Sequence, residues 1–130
     1  MTHFPQIHPQ QRAPRIQLGI AIPALVKHGE GQRARAKLET VSVTGGLLQL
    51  GQALEEGDFV EVAFQTQSGP VHGMAEMLQP ARKLATGILQ PFRFIAMEDA
   101  DHKTLAFAVN ATTERNFLLG NNQFTKLKSH

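Results

Sequence analysis

No cysteine occurs in this chain, so disulfide frameworks, thiolate catalysis and iron–sulfur centres are excluded. Tryptophan and tyrosine are also absent, which leaves phenylalanine alone to form the stacking platforms on which single-strand binders hold bases. No apolar run approaches the roughly 20 residues of a membrane-spanning helix. The opening MTHFPQIHPQ has no apolar stretch of the kind a signal peptide carries. The expectation is a cytoplasmic protein with no membrane partner. Net charge is only +2, too little for a partner as polyanionic as a long nucleic acid.

Catalytic signatures are missing as well. GxSxG, HExxH, Walker and GxGxxG patterns do not occur. The six histidines (His3, His8, His28, His72, His102 and His130) show no paired metal-ligand spacing. Glu55 and Glu56 are adjacent in a loop-like stretch, with no second carboxylate at a defined spacing. The sequence therefore predicts no catalytic residue, no metal and no enzyme.

What is present is a regular run of short strands. At 130 residues and 42% apolar content, one globular domain is expected. Ile16, Leu18, Ile20 and Ile22 alternate with small or polar residues, and HGEG at 28–31 reads as a turn. Ala34, Ala36 and Leu38 alternate with charged residues, but the apolar parity changes at Val41 and Val43, which predicts a bulge between Leu38 and Val43. Further strands are expected at LLQL, around Val60–Phe64, at VHGMAEML and at ATGILQPFRFIAM, where Pro91 marks an edge or an irregularity. From Asp99, a plausible N-cap, the period becomes helical through Leu105, Ala108, Val109 and Thr112, and a second helical segment would stop at Gly120. The architecture predicted is all-β: a small six-stranded antiparallel barrel with a C-terminal helix. Residues 1–11 lack periodicity and read as a flexible arm, residues 12–112 as the barrel domain with its helix, and 113–130 as a tail.

Charge is unevenly spread. Residues 1–37 hold six basic side chains and one acidic, whereas 38–62 hold five acidic and none basic. A local positive field on a nearly neutral body suits a small anionic ligand. Arg12 and Arg15 sit at the mouth of the first strand, and guanidinium forks bind phosphate or the O6/N7 edge of guanine. Thr40, Ser42 and Thr44, spaced by two, put three hydroxyls on one face of an extended segment, with Gly45–Gly46 allowing close backbone approach. On spacing alone this is either a guanine-nucleotide pocket or an ordinary polar barrel face.

The segments QRAPRIQLGI, TVSVTGGLLQL, EEGDFVEVAF, VHGMAEM and GILQPFRFIAMED, in this order and spacing, resemble a PilZ domain over roughly residues 11–112. The resemblance implies a six-stranded barrel with a C-terminal helix. It also implies, as candidate ligand, the bacterial second messenger cyclic di-GMP, held by an Arg-x-x-x-Arg arm and an Asp/Asn-x-Ser-x-x-Gly strand. Carried over, the second arginine is Arg15, the serine Ser42 and the glycine Gly45. Gln11 stands at the first arginine position with Arg12 beside it, and Thr40 stands at the Asp/Asn position. The candidate ligand-binding residues are therefore Arg12, Arg15, Thr40, Ser42 and Gly45.

The two departures can be weighed. A charge-assisted carboxylate contact is worth about 1.5–3 kcal/mol, and threonine recovers only part of it. Glutamine lacks both charge and fork, although Arg12 is adjacent. If both losses stand, affinity falls by about 3 kcal/mol, on the order of a hundredfold. Two expectations follow from the resemblance: a cyclic di-GMP receptor that signals through an unidentified protein partner, or a degenerate PilZ domain that works through protein contacts alone.

Overall fold

The computed structural model describes residues 2–3 and 15–111. Six strands form the barrel: β2 (Arg15–His28), β3 (Gln32–Ser42), β4 (Gly45–Leu50), β5 (Phe59–Thr66), β6 (Gly69–Met77) and β8 (Gly87–Glu98). Two short strands, β1 (Thr2–His3) and β7 (Arg82–Leu84), add to β8, and helix α1 (Asp99–Ala111) follows. All pairings are antiparallel, in the order β8-β4-β3-β2-β5-β6, and β6 pairs back onto β8 to close the barrel. Closure leaves the six barrel strands no unpaired edge running their full length.

The alternation seen in the sequence is the alternation of the wall. Ile22, Ala24 and Val26 of β2, Val60, Val62 and Phe64 of β5, and Phe92 and Phe94 of β8 are all buried in one core. Phe92 and Phe94 meet edge to face with centroids 5.2 Å apart. At the β2–β3 turn Gly29 and Gly31 adopt φ of 58° and 83°, a conformation that side-chain-bearing residues disfavour.

The parity change lies where expected. In the β3–β4 ladder the register shifts between Leu38 and Thr40, and in the β2–β3 ladder between Gln17 and Ile22. Leu38 and Val41 both face the core, so Glu39 is the extra residue on β3. The first strand is less regular than its alternation suggested, because residues 18–21 have no ladder partner on β3. Side-chain parity survives the gap although backbone pairing does not: Leu18 and Ile22 are both buried.

Helix α1 begins at Asp99, and it buries Leu105, Ala108 and Val109 against the barrel. Asp99 and Asp101 in its first turn suit the positive end of the helix dipole. Asp101 also ties the helix to β6, because its Oδ1 accepts the backbone N–H of His72 at 3.0 Å. Thr112 and the expected segment ending at Gly120 lie outside the described residues.

One detail differs from the sequence reading, and one pair of alternatives is decided. Residues 1–11 were assigned no element, yet Thr2 and His3 pair with Glu98 and Met97. Backbone pairing needs no side-chain pattern, so periodicity could not register it. The rest of that arm lies outside the described residues. Pro91, expected at an edge or an irregularity, is not at an edge, since β8 is flanked by β4 and β6.

How the wall accommodates Pro91 is visible in its neighbours. Leu78 N–H donates to the Pro91 carbonyl at 2.9 Å. An antiparallel pair of this kind normally returns a bond from the N–H opposite, and proline has none. The fully buried Gln90 fills the gap: its Nε2 donates to the Leu78 carbonyl at 2.8 Å and to the Leu54 carbonyl at 2.8 Å. Its Oε1 accepts the Leu54 N–H at 2.9 Å, which pins the 51–58 connection to the barrel.

Gln90→Leu keeps a buried side chain of similar size but strands three backbone groups. Stability should fall by about 3 kcal/mol, read as a lower urea midpoint, with faster amide exchange at Leu54.

Candidate functional site

The slip at Glu39 decides what the end of β3 shows to solvent. Beyond it Val41 turns inward, so Thr40 and Ser42 lie on the outer face of the wall. Arg15 is the ladder partner of Ser42, Ser42 pairs with Gly45 across the next gap, and Gly45 pairs with Arg93 of β8. Arg93 in turn pairs with Glu76 of β6. Residues directly opposite in antiparallel strands share a face, so Arg15, Ser42, Gly45, Arg93 and Glu76 form one outer row. The neighbouring row, containing Val41, Phe92 and Met77, is core.

Four of the five sequence candidates can be placed. Arg15 is exposed at the start of β2. Thr40, Ser42 and Gly45 are buried, with Thr40 and Ser42 at 6% and 2% exposure. Arg12, like Gln11, lies outside the described residues. Ser42 uses its hydroxyl in its own turn: Oγ accepts the Thr44 N–H at 3.2 Å, lies 3.0 Å from Thr44 Oγ1 and donates to the Gly45 carbonyl at 3.4 Å. That is a Ser/Thr turn, and it fixes the β3–β4 corner together with the bond from Phe94 N–H to the Thr44 carbonyl at 2.8 Å. Thr40 is different. Its Oγ1 is buried with no hydrogen-bond partner among the described residues.

Gly45 and Gly46 are required by the barrel itself. A Cβ on Gly45 would overlap the Phe92 carbonyl oxygen and lie 2.9 Å from Arg93 Cα. One on Gly46 would lie 2.5 Å from the Thr40 carbonyl oxygen and 3.1 Å from the Phe92 ring. The absent side chain at Gly45 brings β8, and with it the Arg93 backbone, close to the Ser42 row.

Arg93 and Glu76 were not singled out in the sequence. The Arg93 Nε donates to Glu76 Oε1 at 2.8 Å, and Nη2 lies 2.6 Å from the same oxygen. The Arg93 side chain is 56% exposed, so the pair adds little to stability. The only sequence signal was the outward position of Arg93 between buried Phe92 and Phe94. The remaining cations of the N-terminal half, Lys27, Arg33, Arg35 and Lys37, are exposed on the β2–β3 hairpin, with Lys27 Nζ 3.8 Å from Glu61. They extend the positive field along the wall that bears Arg15.

A separate opening of about 280 Å³ lies between β6 and β8, bordered by Glu61, His72, Met74 and Glu98, and contains none of the candidate residues. Among the described residues no cluster of three or more His, Asp or Glu could hold a metal, and no helix is long and apolar enough to cross a membrane.

The class of protein defined by this fold is a closed six-stranded barrel with a helix packed on it after the last strand. Solved structures of the same architecture include the PilZ domain of YcgR from Escherichia coli with c-di-GMP. It has a TM-score of 0.66 at 18% identity, over 92% of this chain and 97% of that one. The Bacillus subtilis inhibitor of motility MotI (DgrA) gives 0.64 at 10% identity, over 78% of this chain and 51% of that one. The PilZ domain of CeSA from a cellulose-synthesizing bacterium gives 0.56 at 15%, over 75% and 95%. No family model matches the sequence, and no curated protein does. The chain has a PilZ-type fold, as the sequence resemblance implied.

Two substitutions separate the roles of these residues. Thr40→Val removes a buried hydroxyl that has no partner among the described residues, at nearly constant shape, and should raise stability by about 1 kcal/mol in urea denaturation. Gly45→Ala forces β4 and β8 apart and should lower stability by about 1–3 kcal/mol in the same assay.

Proposed function

We propose that this protein is a cyclic di-GMP receptor of the PilZ type, holding the second messenger on the outer wall of its barrel and signalling through a protein partner. The observation that carries the proposal is the ladder pairing of Arg15 with Ser42 on this particular fold. Arg15 is exposed and Ser42 sits beside the β3–β4 corner, the two positions that match the PilZ ligand pattern, and a solved domain of the same fold was obtained with c-di-GMP. In this reading Arg15 supplies a bidentate, charge-assisted contact, and Arg12 replaces the arginine missing at Gln11. Thr40 offers a hydroxyl that has no partner among the described residues, Ser42 holds the corner, and Gly45 lets the strands close beneath the ligand. The protein acts by binding in the cytoplasm, without a cofactor and without catalysis.

One observation favours a second reading. A threonine where the pattern has Asp or Asn, with its hydroxyl already buried at 6% residue exposure, is the state of a site that has stopped using that position. A PilZ domain in that state works through protein contacts alone.

Calorimetric titration with cyclic di-GMP separates the two. Under the receptor reading the wild type binds, and Arg15→Ala loses about 2–3 kcal/mol, which takes a weakened site below detection. Thr40→Asp combined with Gln11→Arg rebuilds the pattern and should tighten binding on the order of a hundredfold. Absence of binding in both the wild type and the rebuilt variant establishes the nucleotide-free reading.

A further inference from the structure

We propose that Arg93 is a further ligand-holding residue, gripping a phosphodiester group of the nucleotide from the β8 side while Glu76 keeps its guanidinium aimed. This rests on the cyclic di-GMP reading above and extends it to a strand that carries no residue of the arm or strand motifs.

The argument begins with the outer row. Arg15 and Arg93 are exposed members of the same row, separated by Ser42 on β3 and Gly45 on β4. Three strand spacings of about 4.8 Å put their Cα atoms about 14 Å apart. The two positions between them are low: Ser42 folds its hydroxyl into its own turn, and Gly45 has no side chain. No long side chain of the row stands between the two arginines, and Ser42 and Gly45 are themselves buried, so an anionic group would be held from the ends of the row rather than by its middle.

The second observation is how Glu76 holds Arg93. Both contacts, from Nε and from Nη2, run to the single oxygen Oε1. A guanidinium has five N–H donors in a fixed plane, so this grip occupies one edge and, among the described residues, no further contact is made by the Nη1/Nη2 end. An arginine oriented along one edge and open at the other loses less rotational freedom when it takes the two free oxygens of a phosphodiester. The Glu76 charge works in the opposite direction, since a carboxylate beside the fork repels an arriving anion. Orientation and charge can be separated, because an amide at position 76 retains the accepting oxygen without the charge.

The test is titration of the full chain with cyclic di-GMP in wild type and three variants, alongside thermal melts. Arg93→Met keeps the apolar stem and removes the fork; affinity should fall about tenfold or more with little change in melting temperature, because the Arg93–Glu76 pair is exposed. Arg93→Lys keeps the charge and should recover part of that loss. Glu76→Gln should tighten binding about threefold by removing the repelling charge. Arg93→Met binding within twofold of wild type overturns the proposal and leaves the receptor reading standing. Glu76→Gln binding no tighter than wild type overturns the phosphodiester assignment. A wild type that does not bind overturns both readings together.

Discussion

One extra residue in β3, Glu39, sets the arrangement of everything near the candidate site. Without the slip, Thr40 and Ser42 would continue the inward series of Ala36 and Leu38, and two hydroxyls would sit in an apolar core at a cost of a few kcal/mol. With it, Val41 fills that core and the hydroxyls face the side that carries Arg15. The same slip bears on β4 and β8. Beyond it Ser42 meets Gly45 at the β3–β4 turn and Gly45 meets Arg93 across the next gap, so the slip decides that this row faces outward together with Ser42. The barrel absorbs the irregularity by leaving residues 18–21 of β2 unpaired with β3, where Leu18 still packs inward.

Placing a candidate binding surface on the outside of a closed barrel separates two demands. Stability resides in the inward rows, where Val26, Leu38, Val41, Val62 and Phe92 pack against one another and against α1. The candidate site occupies one outward row and the corner beside it. A substitution such as threonine at the Asp/Asn position therefore alters the outer face without disturbing the interior. This is how a recognisable fold can carry two departures in five signature positions.

The sequence made the strands, the hairpin turn, the bulge and the helix legible because each leaves a periodic or steric mark: alternation at Val60–Phe64, two glycines at 29–31, a parity change at Val41, helical spacing from Leu105 to Val109. The pairing of Arg15 with Ser42 leaves no such mark, and it could be anticipated only through resemblance to a family. Arg93 and Glu76 were invisible for a stronger reason. Which residue of β8 faces Gly45, and which residue of β6 faces Arg93, depends on how the barrel closes between segments far apart in the chain, and no local pattern records that. Gly45 was noted for allowing close backbone approach, and in the barrel its missing side chain makes room for the Phe92 carbonyl and the Arg93 backbone. Gln90 looked like one more polar residue in a strand, although it is among the most buried side chains in the chain.

That glutamine and the proline after it make an unusual couple. The carboxamide of Gln90 serves the Leu78 carbonyl because Pro91 cannot, and the proline is tolerable inside the wall because the carboxamide is there. An ordinary amino acid at 91 would bring a second N–H to a carbonyl that can accept two, whereas loss of Gln90 would leave the proline's deficit uncovered. The dependence is one-sided: a chain that abandons the proline still needs the glutamine for both backbone groups of Leu54, so the 51–58 connection stays tied to position 90 whatever stands at 91.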